Sequence, residues 1–439
     1  MQNNIKKIIV LATIAILGLG IFFGYKFYQA SKNPTNAIDK ATQNTDNTRT
    51  PFQTRISTSS DITTIIENQK NNVENPTLAT TKKPRLIQIW KEPVSGFGFV
   101  TKDVQVFATS TDNSTSTILK KLTAKNILKN QQYVYFWDRK TGHIYENLAS
   151  TTEVAKISNY TLPGVEEAFF VDSGSIIIRK LSDDNETITT RYVKLVKEFS
   201  SSTTYTTSDK DIDIGSKNIA VSNSAKRIFY FLDKTGKGTL SSLDGEVKTS
   251  AINTTLSEWL SQYVNKDLIT LTTKPSAYFP GYLFSMRTDG TGKNTYILGD
   301  KYGFNTLTSP DGSKVIYSEI INNTLETYIY DIKSKGLKYL RQSTIVDKCT
   351  WSADSKKIYC AIPQKLYQYP YPDAWYKNEV SFVDNIWSID PTTGDFTLVV
   401  PIQDQVATLI DVYKITVSPD NKYLLFQDKE TLTLWKYDL

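Results

Sequence analysis

A phrase of about six residues recurs at a near-constant interval, and that recurrence restricts the fold more than any other feature of the chain. Ser309-Pro310-Asp311-Gly312-Ser313-Lys314 leads into VIYSE, Ser352-Ala353-Asp354-Ser355-Lys356-Lys357 into IYCAI, and Ser418-Pro419-Asp420-Asn421-Lys422-Tyr423 into LLFQD. A looser copy, Ser222-Asn223-Ser224-Ala225-Lys226-Arg227, leads into IFYFL. Ser309 and Ser352 are 43 residues apart, and Ser222 and Ser309 are 87 apart, close to two periods. Ser352 and Ser418 are 66 apart, which is one period plus an insertion of about 23.

Each repeat has the same internal order. A strand runs into the S-x-D-x-K turn, a second strand alternates aromatic and polar residues, and a third ends in a polar turn, as in YIYDIKSKG at 328–336, IWSIDPTTG at 386–394 and YFWDRKTG at 135–142. A fourth strand, such as LKYLRQ at 337–342, leads to the next repeat. Asp, Asn and Gly tolerate the backbone that tight hairpins need, so Asp311, Asp354 and Asp420 are read as structural turn residues. Four antiparallel strands at this period predict an all-β propeller. Seven blades are expected, at about 94–158, 163–212, 217–252, 256–299, 303–341, 345–400 and 410–439. The last has three strands of its own, and Arg85-Leu86-Ile87-Gln88-Ile89-Trp90 is a strand without a blade, so 85–90 is expected to close the ring within a domain spanning 84–439.

The SPDGSKVIYS and SPDNKYLLFQ phrases resemble the repeats of TolB-type and WD-repeat-like propellers, including those of the dipeptidyl-peptidase and prolyl-oligopeptidase families. The resemblance is carried by the turns at 309–314, 352–357 and 418–423, and less by 222–227. It implies the fold and no particular activity, since propellers host many functions. No hydrolase domain follows the ring and no G-x-S-x-G elbow occurs, so the peptidase chemistry of those families is not expected.

Ahead of the repeats the composition changes. Residues 8–24 read IIVLATIAILGLGIFFG, long enough with the following aromatic flank to cross a hydrocarbon core. Lys6 and Lys7 precede this run, and Tyr28 occupies the −3 position of the nearest small-residue site, which favours an uncleaved signal-anchor over a cleaved leader. Residues 1–30 are therefore expected to be a cytoplasmic tip and transmembrane helix. Residues 31–83, rich in Thr, Asn and Ser, are expected to be a disordered linker, and the C-terminal domain to be extracytoplasmic.

Charge follows the same division. The chain carries a net +6, but residues 1–83 hold 10 Lys+Arg against 5 Asp+Glu, leaving 41 against 40 in the ring, so a nucleic-acid partner is not expected. With His143 as the single histidine, multi-His metal sites are excluded, and two cysteines cannot build a structural zinc site. No cofactor motif occurs and none is expected. Asp209, Asp211 and Asp213 imitate the start of a calcium loop, but Ile214 stands where Gly is needed and Ala220 where a bidentate Glu is needed. They are read as solvent-facing acids, and His143 as a surface turn residue. The basic run through Lys120, Lys121, Lys125 and Lys129 is read as a solvated face.

Two features are candidate sites. Cys349 and Cys360 flank the turn at 352–357 symmetrically, so a hairpin places them opposite one another, where they can form a disulfide or remain a pair of buried thiols. The insertion at 363–383 crowds Tyr367, Tyr369, Tyr371, Trp375 and Tyr376 among three prolines, a stiff aromatic loop suited to gripping a protein or glycan, or to covering its own blade. The expected function is a membrane-anchored binding or scaffolding module of the cell envelope, with the membrane met through residues 8–24. The alternative is a propeller hydrolase or lyase acting on polysaccharide with Asp or Glu residues near the channel, because such carboxylates assemble in space and leave no sequence spacing.

Overall fold

The computed structural model describes residues 85–439 except 108–124, 183–186, 198–203, 215–217, 233–234, 257, 290 and 292–293. The expected anchor at 8–24 and linker at 31–83 lie outside the described residues. Among those described, no helix is long and apolar enough to cross a membrane.

Seven four-stranded antiparallel sheets make up the ring, and within each the strands follow in sequence order. Only the seventh departs from this, taking Val412–Val417, Tyr423–Asp428 and Leu434–Asp438 from the C-terminus and Leu86–Trp90 from the other end of the described chain. Leu86 pairs with Tyr437 and Trp90 with Leu434. The outermost strand of the last sheet thus comes from residues more than three hundred positions away, and it brings that sheet to the same four strands as the others.

The first strands of neighbouring sheets meet at the centre: Val94–Phe107 lies against Val165–Phe170, and Cys349–Trp351 against Val412–Val417. The approach is close enough at Gly96 that a Cβ there would stand 2.0 Å from the carbonyl oxygen of Ala168. Between sheets the core is apolar: one cluster joins Trp137, Phe170 and Ile178, another Tyr359, Phe426 and Trp435. Alternating strands bury one face against each neighbouring sheet, so every blade interface is built from the same period-two pattern.

The recurrent turns all sit on one face of the ring, which we call the turn face. Ser309 donates its hydroxyl to Asp311 at 2.6 Å and accepts the Lys314 N–H at 3.0 Å. Ser352 repeats this with Asp354 and Lys357 at 2.7 and 2.9 Å, and Ser418 with Asp420 and Tyr423 at 2.6 and 3.0 Å. The residue three positions after each serine has a left-handed backbone: Gly312, Ser355 and Asn421, with φ of 72°, 60° and 58°. At two of these positions the side chain also links blades. Ser355 accepts the N–H of Asp311 at 3.1 Å, and Asn421 accepts that of Ala353 at 3.3 Å. Cys349 and Cys360 are directly opposed on the two strands flanking the sixth turn and are disulfide-bonded.

Candidate functional site

The opposite face, where first and third strands begin, carries the insertion at 363–383. One helical turn, Asp373–Tyr376, forms its centre, and the segment reaches across four blades. Asp373 accepts the Ala277 N–H of the fourth sheet at 2.6 Å, and the Tyr376 hydroxyl accepts from Asn305 of the fifth at 2.9 Å while donating to Asp347. Trp375 donates its indole N–H to Asp411, at the start of the seventh, at 2.9 Å.

Beneath Trp375 lies a buried ionic triad. Lys348 contacts Asp384 at 2.7 Å and also Asp411, and all three side chains are withdrawn from solvent. Phe382 and Val412 donate backbone N–H groups to Asp411 and Asp384 at 3.1 and 2.7 Å. The Lys348 ammonium also stands 5.2 Å from the centre of the Trp375 ring and 4.7 Å from that of Phe382. Burial pushes the Asp384 carboxyl up to about 6; Lys348 opposes this and Asp411 adds to it. Burial also raises the Asp347 carboxyl against its hydrogen bonds from Tyr376 and Asn305.

This arrangement divides the five aromatic residues that the sequence singled out. Tyr371 and Trp375 are each 1% exposed and pack with Leu325, Ile345 and Phe382, so their rings hold the insertion down and cannot be offered to a partner. Tyr367 and Tyr369, at 52% and 42%, face solvent, as does part of Tyr376. Sequence reasoning missed Tyr278 and Phe279, exposed at 60% and 73% on the fourth-sheet loop that Asp373 grips through Ala277. No pattern announces them, because the bond that brings them beside the insertion spans 96 residues.

A second feature of this face is a cavity of about 360 Å³ among the first, second and seventh sheets. Each of the three first strands bordering it carries a bulge there, between Val94 and Gly96, Val165 and Glu167, and Tyr413 and Thr416. A bulge breaks the alternation of faces, which is how the successive residues Glu166 and Glu167 both line the cavity, as do Tyr413 and Lys414. Arg139 binds Glu166 at 2.5 Å, and Arg179 binds Glu167 at 2.5 Å. Lys414 holds a left-handed backbone, φ 49°, inside its bulge. Burial lowers its ammonium below the ordinary lysine range, with Glu167 opposing. Burial pushes the Tyr413 hydroxyl up to about 12, with the charges of Glu167 and Asp347 adding to it.

The other candidates have structural explanations. Asp209 and Asp211 both pair with Arg191, at 2.8 and 2.7 Å, and among the described residues no cluster of three or more Asp, Glu, His or Cys side chains is placed to hold a metal ion. His143 sits in its turn with Nδ1 3.0 Å from the Tyr160 carbonyl oxygen. Lys120 and Lys121 lie outside the described residues.

No family model and no curated protein sequence matches the chain. Among solved structures, the chain is similar to tricorn protease, at 9% identity and TM-score 0.45, over 70% of this chain and 32% of that one. It is also similar to hydrazine synthase of Kuenenia stuttgartiensis, at 14% and 0.42, over 62% and 75%, and to TolB from Acinetobacter baumannii, at 13% and 0.38, over 78% and 80%. The chain spans about a third of the tricorn protease chain. At these identities and scores no activity or partner is carried over. The fold rests on the sheets themselves: the chain is a seven-bladed β-propeller, and TolB, whose repeats its turns resemble, is among its structural neighbours.

Proposed function

We propose that the ring is a binding and scaffolding module of the cell envelope, held at the membrane through residues 8–24, which grips a protein or glycan with the face that carries the insertion. The observation that carries this reading is the division of labour in the aromatic segment. Trp375 and Tyr371 are buried over an ionic triad, a costly arrangement that fixes the segment, while Tyr367, Tyr369, Tyr278 and Phe279 stand in water beside it. Rigidly mounted aromatic rings lose little entropy on contact, which is the usual composition of an interface centre. The hydrolase alternative draws less support. Glu166 and Glu167 do share a cavity, but each is already bound by an arginine, which suits a fixed charge better than a proton donor.

The test is partner recovery from solubilised membranes by the full chain and by a variant combining Tyr367→Ser, Tyr369→Ser and Phe279→Ser. The variant should lose most of the specifically recovered partner while keeping the wild-type melting temperature. Equal recovery would overturn the assignment of this surface.

A further inference from the structure

The cavity among the first, second and seventh sheets is distinct from the aromatic surface, and its lining specifies a ligand chemistry. Its charges are not all matched internally. Glu166 and Glu167 are each taken by an arginine, whereas Lys414 has no carboxylate within ion-pair distance among the described residues and contacts only the Tyr413 ring, 5.2 Å from its centroid. Among the described residues, one cationic group is left facing the cavity.

An acceptor is left as well. Gln427, 1% exposed and directly opposite Tyr413 in the strand pairing, donates its amide to the carbonyl oxygens of Val94 and Leu432 at 2.7 and 3.2 Å. Two carbonyl partners fix which end of the amide is nitrogen. Its Oε1 therefore points the other way, and it has no hydrogen-bond partner among the described residues. A buried acceptor of this kind costs free energy unless something donates to it. The remaining wall is mostly apolar, with Val94, Leu181, Ile188 and Leu432 beside Ser95, whose hydroxyl donates to the Val165 carbonyl oxygen.

We propose that this cavity binds an acylamino carboxylate with an apolar side chain, either free or as the C-terminal end of a peptide. The carboxylate pairs with Lys414, the side chain lies on Leu181, Ile188 and Leu432, and the adjacent amide N–H donates to Gln427 Oε1 once the side chains that close off that oxygen shift aside. A volume near 360 Å³ is at the lower end of the range for small-ligand sites and accommodates one or two residues. The bulges on three first strands give the site its shape: they re-aim Lys414 and the two glutamates towards the cavity. The Arg139 and Arg179 pairs neutralise the glutamates, which would otherwise repel an entering carboxylate.

Calorimetric titration of the full chain tests this with four probes: acetyl-leucine, acetyl-Ala-Ala-Leu, the C-terminal amide of that peptide, and glucuronate. The acid peptide should bind at least tenfold more tightly than its amide. Acetyl-leucine matching the peptide identifies a free acylamino acid as the source, and a weaker acetyl-leucine identifies a chain terminus. Lys414→Asn, chosen because Asn tolerates the left-handed backbone, should weaken the acid at least tenfold, while Lys422→Asn on the turn face should not. Equal binding of acid and amide, no heat at 10-millimolar order, tighter binding of glucuronate, or a folded Lys414→Asn protein that binds like wild type would each overturn the proposal. Should Lys414→Asn fail to fold, the acid and amide titrations of the wild type decide alone. The triple aromatic variant should bind these probes normally, so failure here and failure of the aromatic surface are separable.

Discussion

Trp375 and Asp411 are joined by an indole N–H to carboxylate hydrogen bond of 2.9 Å, although one belongs to an insertion of the sixth sheet and the other to the start of the seventh. The same carboxylate takes Lys348, so a single acid holds both the insertion above it and the cation beneath. The loop and the blade junction are therefore one mechanical unit, and changes to the triad should be felt at the aromatic surface.

Lys348→Ala should be strongly destabilising. It would leave Asp384 and Asp411 buried without their cation, a change that costs on the order of 3–5 kcal/mol. Urea denaturation followed by tryptophan fluorescence measures this directly. A loss below about 1 kcal/mol would mean that water reaches the triad and screens it.

Asp384 should impose a recognisable pH dependence. An aspartate in the unfolded chain titrates near 3.9, and in the fold burial raises this one to about 6. Between those values the folded form retains a proton that the unfolded form has lost, so stability from this group is full below about pH 4, falls as pH rises through about 6, and is level above. Relative to Asp384→Asn, the wild-type urea midpoint should decline across that window. Parallel curves for the two proteins would contradict the raised carboxyl.

Deleting residues 84–92 should lower the melting temperature markedly and make the protein self-associate. The deletion removes the partner of Leu434–Asp438 and the hydrogen bond from Trp90 to Asp138 at 2.8 Å, exposing an unpaired strand edge. Differential scanning calorimetry with light scattering would show both effects. An unchanged melting temperature would mean that the pairing contributes nothing to closure.

What the sequence discloses and what it conceals divide by the reach of the interactions. The turn at Ser309 satisfies its hydroxyl within five residues, through Asp311 and Lys314, so the chemistry leaves a contiguous phrase that repeats with the blade. The opposition of Cys349 and Cys360 follows from the same hairpin symmetry. Trp375 carried no such cue: an indole in a proline-rich loop reads alike whether it faces water or a buried lysine 27 residues earlier. The Lys414 cavity was less visible still. Its groups come from three sheets, and the bulges that turn them inward break the very alternation from which side-chain direction is read.

The pairing of Leu86–Trp90 with Leu434–Asp438 also decides how the ring responds to force. The N-terminal strand enters at the turn face and runs towards the insertion, antiparallel to its partner. Were a partner held over the insertion, as proposed, a pull against it on the strand end at Leu86 would be directed along the strand axis. All the hydrogen bonds of the closing ladder would then be loaded together in shear, instead of being unzipped one after another. The joint is in this sense a tension-bearing splice, strongest against a pull along its own strands.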